Sequence, residues 1–230
     1  MIEENLRRIR ERIAVAARAA GRDPSEIRLL CVTKGVPVER IREAVAAGVR
    51  EIGENRVQEA QRKKENMSTG YKVPGTPGLP LRWHLIGRLQ RNKAKLAVEL
   101  FDCIHSVDSV QLVEALAQGD RRLEVLIQVN VSGEAAKGGC RPEEAQALAA
   151  AVLKAKNLKW AGLMTMAPYS ENPEEARPVF RGLRELRDRL GERFGLRLDL
   201  SMGMSGDFET AVQEGATMVR VGAAIFGERR

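Results

Sequence analysis

The chain of 230 residues is 43% hydrophobic and 30% charged, with a formal charge of +7. That composition excludes a disordered chain, provides apolar material for a sizeable core, and contains no run near the roughly 20 apolar residues that a membrane span needs. The basic residues alternate with acids, as in ERIREAVAAGVREIGENRVQEAQRKKE, and two Trp, two Tyr and five Phe offer little for base stacking, which sets nucleic acid aside as a partner.

Leu6, Ile9, Ile13, Val15 and Ala16 recur at helical spacing and predict an amphipathic helix over Ile2–Ala20. Its opening turns are charged and lack the apolar centre of a signal peptide, which points to the cytoplasm. Leu29–Thr33 reads as a strand, and Pro37 opens a helix over Val38–Ala47. A strand over Arg50–Ile52 and a helix over Arg56–Met67 come next. Ser68–Pro80, rich in Gly and Pro, then reads as a flexible loop. The following strands are expected at Arg82–Ile86, Asp102–His105, Leu123–Asn130, Leu158–Leu163, Leu196–Leu200 and Thr217–Val221. The helices between them are expected at Arg91–Leu100, Ser109–Gln118, Pro142–Lys156, Pro173–Leu190 and Phe208–Gln213, with a short helix at the end. About eight strand–helix units of roughly 25 residues predict one (β/α)8 TIM barrel over residues 1–230, with an extra N-terminal helix. An open doubly wound sheet needs fewer units.

Cys31, Cys103 and Cys140 form an odd set without CxxC spacing, which argues against a disulfide framework and a zinc site; Cys31 and Cys103 read as buried thiols within strands.

Barrel enzymes carry their chemistry where strands end. Polar residues at these points are Lys34, Glu54 with Asn55, His84, His105, Asn130, Ser201 to Asp207, and Arg220. Lys34 would enter the barrel mouth among low-dielectric neighbours, which favours the free amine that imine formation requires. A strand-end lysine can equally snorkel to the surface, so its position alone decides nothing. Ser205-Gly206 and Gly222-Ala223 each precede a helix and would offer a hydroxyl and free N–H groups to an anion, after the seventh and eighth strands where barrels bind phosphate; the alternative is that these glycines serve turns. Asp207 can be read as a catalytic acid or as a helix cap, of which the cap is preferred, and Glu54 carries the same ambiguity. His84 and His105 are too isolated for a metal site, with no HxH or HExxH spacing.

VTK (32–34), GENRVQEA (53–60), WHLIGRLQRNK (83–93), VNVSGEAAKGG (129–139), GLMTM (162–166) and SMGMSGDFETAVQEGATMVRVGAAIFG (201–227) together resemble the pyridoxal-phosphate homeostasis protein family over nearly the whole chain. The resemblance implies a fold-type III barrel similar to the N-terminal domain of alanine racemase. It also implies pyridoxal 5′-phosphate held covalently, as an internal aldimine, on Lys34. Carried over, Ser205, beside Met204, and N–H groups near Gly222 and Ala223 would hold the phosphate. Arg220 would face the pyridine nitrogen, and Asn55 and His84 would line the pocket. Where the family often has Thr or Ser, this chain has Ala223, a departure that removes one hydrogen bond of about 0.5–1.5 kcal/mol.

A guanidinium cannot take the proton that makes the pyridine ring a strong electron sink. Alanine racemases share that arginine, so it leaves catalysis open. They also use a further domain carrying a tyrosine acid/base; here the sequence ends at Arg230, and Tyr71 and Tyr169 fall in loops. The expectation is a non-catalytic, monomeric, cytoplasmic carrier of pyridoxal phosphate, with dependent apo-enzymes as partners. The alternative is a minimal amino-acid racemase.

Overall fold

In the computed structural model, which describes residues 1–68, 81–134 and 137–227, eight short strands rich in Val, Leu and Ile run parallel. They are β1 (Arg28–Val32), β2 (Glu51–Glu54), β3 (Arg82–Leu85), β4 (Cys103–Val107), β5 (Leu123–Gln128), β6 (Leu158–Met164), β7 (Asp199–Ser201) and β8 (Met218–Val221). Each pairs with the next, and β8 closes on β1 with Leu30 opposite Arg220, so the sheet is a closed barrel of the TIM type. The extra helix α1 (Ile2–Ala19) precedes it. The helices α2 (Val38–Ala46), α3 (Val57–Ser68), α4 (Ala94–Leu100), α5 (Val110–Ala117), α6 (Ala145–Lys154), α7 (Arg177–Phe194), α8 (Phe208–Gln213) and α9 (Ala223–Phe226) follow successive strands.

Most predicted bounds shift by one to three residues, and the shifts have local causes. The helices expected from Arg91, Pro142 and Pro173 each open with a single 3-10 turn. At Pro142 and Pro173 the fixed φ of proline suits that first turn, and the Asn172 side chain accepts the Glu174 N–H at 3.1 Å. The helix expected to stop at Leu190 runs on to Phe194 and ends at Gly195, whose φ of 64° is the left-handed conformation that glycine adopts freely. Leu196 N–H then bonds Gly191 O at 2.9 Å, which ties the start of the expected seventh strand to the helix end and delays β7 to Asp199. Ser68 closes α3; the rest of the Gly/Pro-rich segment, 69–80, lies outside the described residues.

Alternation along the strands divides the core in two. Outward residues such as Cys31, Ile52, Leu85, Ile104 and Leu163 pack under the helices. Inward, Leu30, Cys103, Leu126 and Met164 share the barrel axis with buried His84, His105, Gln128, Ser201 and Arg220, an interior more polar than the branched aliphatic layers usual for this fold. At the N-terminal end of the barrel, Arg28 pairs with Asp199 at 2.6 Å and Glu51 at 3.5 Å, and Arg82 pairs with Glu124 at 2.6 Å. The helix α1 buries Ile2, Leu6, Ile9, Ile13, Ala16 and Ala17 against α2, α8 and α9. Asn5 Nδ2 also donates to Ile225 O at 2.9 Å, and Arg12 holds Glu209 at 2.8 Å. The three cysteines are free and buried, and burial pushes the Cys31 and Cys140 thiols up to about 12. Among the described residues no helix is long and apolar enough to cross a membrane.

Candidate functional site

A cavity of about 320 Å³ opens at the C-terminal mouth of the barrel, within the roughly 300–1,000 Å³ usual for small-molecule sites. Its walls include Asn55, Met204, Ser205, Arg220, Gly222 and Ala223, all residues singled out from the sequence, together with Val32 and Ile86 at strand ends. Two glycines explain why these residues meet. A Cβ on Gly87 would lie 2.3 Å from Asn55 O, so only glycine lets the loop after β3 pack on the Asn55 backbone. Gly203 has φ +90°, and a Cβ there would stand 2.5 Å from Ala211 Cβ; its carbonyl accepts Arg220 N–H at 3.0 Å, which joins the loop after β7 to β8. Gly222 is the N-cap of α9 and its carbonyl accepts the N–H groups of Ile225 and Phe226, so the N–H groups of Ala223 and Ala224 belong to the first turn, which has no intrahelical acceptors.

Asp207 does not cap α8 with its side chain, contrary to the sequence reading. Its Oδ1 instead accepts Met204 N–H at 2.5 Å and closes the Met204–Asp207 turn that carries Ser205. Burial pushes this carboxyl up, against the opposing effects of the Met204 N–H and Arg220.

Lys34 follows β1 on the same mouth but is exposed and lies outside the lining of the cavity. The low-dielectric surroundings expected from its strand-end position are therefore not supplied by the protein. The cause is a turn. Val36 N–H bonds Thr33 O at 2.9 Å, Gly35 takes φ 69°, and Lys34 sits at the turn's outer corner. Below it the turn is held rigidly. Buried Lys63 donates to Thr33 O at 2.6 Å, to Glu54 Oε1 at 2.7 Å and to Glu59 Oε1 at 2.7 Å. Thr33 Oγ1 donates to Glu54 at 2.5 Å, and Gly35 N–H to Glu59 at 2.6 Å. Burial pushes the Glu54 carboxyl up despite the bonds from Lys63 and Thr33. At Glu59 burial acts the same way, but Lys63 and the Gly35 N–H outweigh it and leave the carboxyl below its usual range. Glu54 is thus a buttress of the Lys34 turn, neither a cap nor a wall of the cavity.

Arg220 lines the cavity from inside the barrel, 4% exposed, with Nη1 donating to Ser201 Oγ at 2.8 Å and Nη2 to Thr165 O at 2.9 Å. Burial lowers it to about 10, Asp207 opposing, so it is a cation at neutral pH. His84 does not line the cavity. It lies within β3, opposite Gly53 and Cys103, one inward layer deeper than Ile86, which does line the cavity. His84 and His105, read from the sequence as isolated, are 2.9 Å apart through His84 Nδ1 and His105 Nε2, and their ligand atoms lie within 4.8 Å of Cys103 Sγ. Adjacent strands supply this proximity, which spacing along the chain cannot reveal. The facing ring nitrogens are already occupied by hydrogen bonds, and burial pushes the Cys103 thiol up, so the cluster reads as a polar chain rather than a metal centre.

The family described as alanine racemase, N-terminal domain, matches residues 4–230. The pyridoxal phosphate homeostasis protein of Aquifex aeolicus is 46% identical over 99% of this chain and 98% of its own length, and that of Pseudomonas aeruginosa 45% over 99% and 96%. This chain belongs to the pyridoxal phosphate homeostasis protein family. PipY of Synechococcus elongatus, solved with PLP bound, superposes on this family member with a TM-score of 0.83 at 37% identity, covering 99% of this chain and 100% of PipY. The alanine racemase of Corynebacterium glutamicum, at 16% identity and a TM-score of 0.68 over 96% of this chain and 61% of its own, shares the barrel fold alone.

In this homeostasis-family barrel the sequence reading missed several walls of the cavity, among them Val32, Ile86, Asp207 and Tyr169. It named Ser201 and His105 as strand-end residues but did not link them to Arg220. The signal for those partners was a polar residue on the inward-facing alternation of a strand, as with His105 in β4 and Ser201 in β7.

Proposed function

We propose that this chain binds pyridoxal 5′-phosphate at the barrel mouth, tethered through an imine to Lys34, and acts in the cytoplasm as a monomeric carrier that buffers the cofactor for dependent apo-enzymes. Residues 1–230 would form one cofactor-binding domain. The observation that carries the reading is the convergence of a buried cation, a hydroxyl and the start of a helix on one small cavity beside the end of β1.

The donor set fits the group. Ser205 Oγ and the N–H groups at Ala223 and Ala224 would receive a phosphate, and Ala223 supplies no hydroxyl of its own. Arg220, a donor only, would present an N–H to the pyridine nitrogen and has no proton-accepting site. Asn55 and Met204 would flank the ring, and Lys34, on the rigid turn above Thr33, would supply the amine. Bound there, the cofactor supplies an electrophilic aldehyde carbon to amines.

The non-catalytic reading rests on the mouth itself. Tyr169, which the sequence placed in a loop, lines the cavity but is 90% exposed, so packing does not hold it as a positioned acid/base. Tyr71 lies outside the described residues. Titration with pyridoxal phosphate is expected to give the visible band of a lysine imine in the wild type and none in Lys34→Ala; a wild type without that band would overturn the reading. Loaded protein mixed with common amino acids in deuterated solvent is expected to exchange Cα–H no faster than free cofactor.

A further inference from the structure

The buried guanidinium of Arg220 touches no carboxylate, yet it heads a continuous line of polar groups down the barrel axis. Ser201 Oγ lies 2.8 Å from Arg220 Nη1 and 2.9 Å from His105 Nδ1. His105 Nε2 lies 2.9 Å from His84 Nδ1, and His84 Nε2 faces Glu51 Oε2 at 3.3 Å among the charges of the opposite barrel end. That approach is a charge contact and falls outside hydrogen-bond geometry, and neither atom has a hydrogen-bond partner among the described residues. The proton positions follow from the first link. A guanidinium only donates, so the Ser201 hydroxyl accepts from Arg220 and its own proton goes to His105 Nδ1. A neutral His105 then carries its proton on Nε2 and donates to His84 Nδ1. A neutral His84 carries its proton on Nε2, aimed at Glu51. Burial keeps both imidazoles neutral: His84 is held below its usual range against Glu51, and His105 further below it by burial, His84 and Arg220.

We propose that Ser201, His105 and His84, anchored by Glu51, form a one-directional positioning relay that fixes Arg220 as a donor-only floor of the mouth cavity. Aligned dipoles stabilise the buried cation from below, and the Asp207 carboxyl acts on it from the mouth side. This assignment rests on the reading of the cavity as the pyridoxal phosphate site, with Arg220 presented to the pyridine nitrogen. No residue of the relay other than Arg220 lines the cavity, so the others act through it.

The chain has only two histidines, so 15N-histidine labelling gives four ring-nitrogen signals. In the unloaded protein both rings are expected as neutral Nε2–H tautomers at pH 7 to 8, under the surrounding charges of Glu51, Arg28, Arg82, Arg220 and Asp207. An Nδ1–H tautomer or an imidazolium in either ring at pH 7 would overturn the relay. Ser201→Ala should release the His105 tautomer, weaken pyridoxal phosphate binding about tenfold, as expected for one lost bond to a charged group, and shift the absorbance maximum of the bound cofactor. Glu51→Leu should release the His84 tautomer and change the same spectrum, whereas Glu51→Gln, which keeps an acceptor oxygen, should restore both. The Glu51 pair also decides the matter if Ser201→Ala does not fold. Unchanged affinity and spectrum in folded Ser201→Ala or Glu51→Leu would remove the positioning role. A wild type that takes up no cofactor would overturn the cavity reading and the relay's purpose together, while the tautomers of the unloaded protein would still report whether the hydrogen-bond chain exists.

Discussion

At the residue scale, two buried polar systems constrain the mouth in different ways. Lys63 satisfies Glu54 and Glu59 together and pins the turn beneath Lys34. Lys63→Met would strand a fully buried carboxylate, at a cost of about 3–5 kcal/mol at neutral pH. Because burial already pushes the Glu54 carboxyl up, the loss should be smaller in acid, and adding Glu54→Gln should recover part of it. Urea denaturation of the single and double variants measures both effects. The histidines give a pH dependence of opposite sign. Their folded values lie below 6.5 and the unfolded chain returns them to it, so below pH 6.5 the unfolded state binds more protons. Their contribution to stability is therefore present above pH 6.5 and is lost progressively as the pH falls below it. Glu54 and Asp207, both raised, act in the opposite direction nearer their ordinary range. Urea midpoints should fall from pH 7.5 to pH 6; a flat or rising midpoint would contradict the buried neutral pair.

At the element scale, the loop between β7 and α8 depends on Gly203. Gly203→Ala places a side chain at φ +90° and against Ala211, so it should cost about 1–3 kcal/mol for the backbone alone and weaken cofactor uptake by moving Ser205. Leu6→Ala on α1, at a fully buried position, should cost about 2–5 kcal/mol with no direct effect on the mouth. The elements themselves were legible in the sequence, because a period of two alternates with helical spacing from Leu29 to Phe226. Their edges were less so: the 3-10 turns at Arg91, Pro142 and Pro173 and the extension of α7 to Gly195 depend on local capping that periodicity does not register. The rim of the site was legible for a related reason. Asn55, Ser205, Arg220 and Gly222 are strand-end residues, and a barrel brings all its strand ends together. The resemblance put His84 near the ring, whereas the structure places it one layer below the cavity lining, and strand membership alone does not give that depth. The pairing of His84 with Gly53 and Cys103 supplies that depth, and only the register shows it.

At the scale of the whole molecule, a polar line runs along the barrel axis. Arg220 stands at the mouth, Glu51 at the other end, and two neutral imidazoles and a hydroxyl lie between them. The proposed phosphate and pyridine site at the mouth, over Arg220, accords with relatives named for pyridoxal phosphate homeostasis. The central claim is that Lys34 tethers the cofactor, and locating that bond tests it most directly. Protein incubated with pyridoxal phosphate, reduced with borohydride, digested and sequenced by mass spectrometry should carry the pyridoxyl group on Lys34. A reduced protein with Lys34 unmodified, whether bare or labelled at another lysine, would contradict the account.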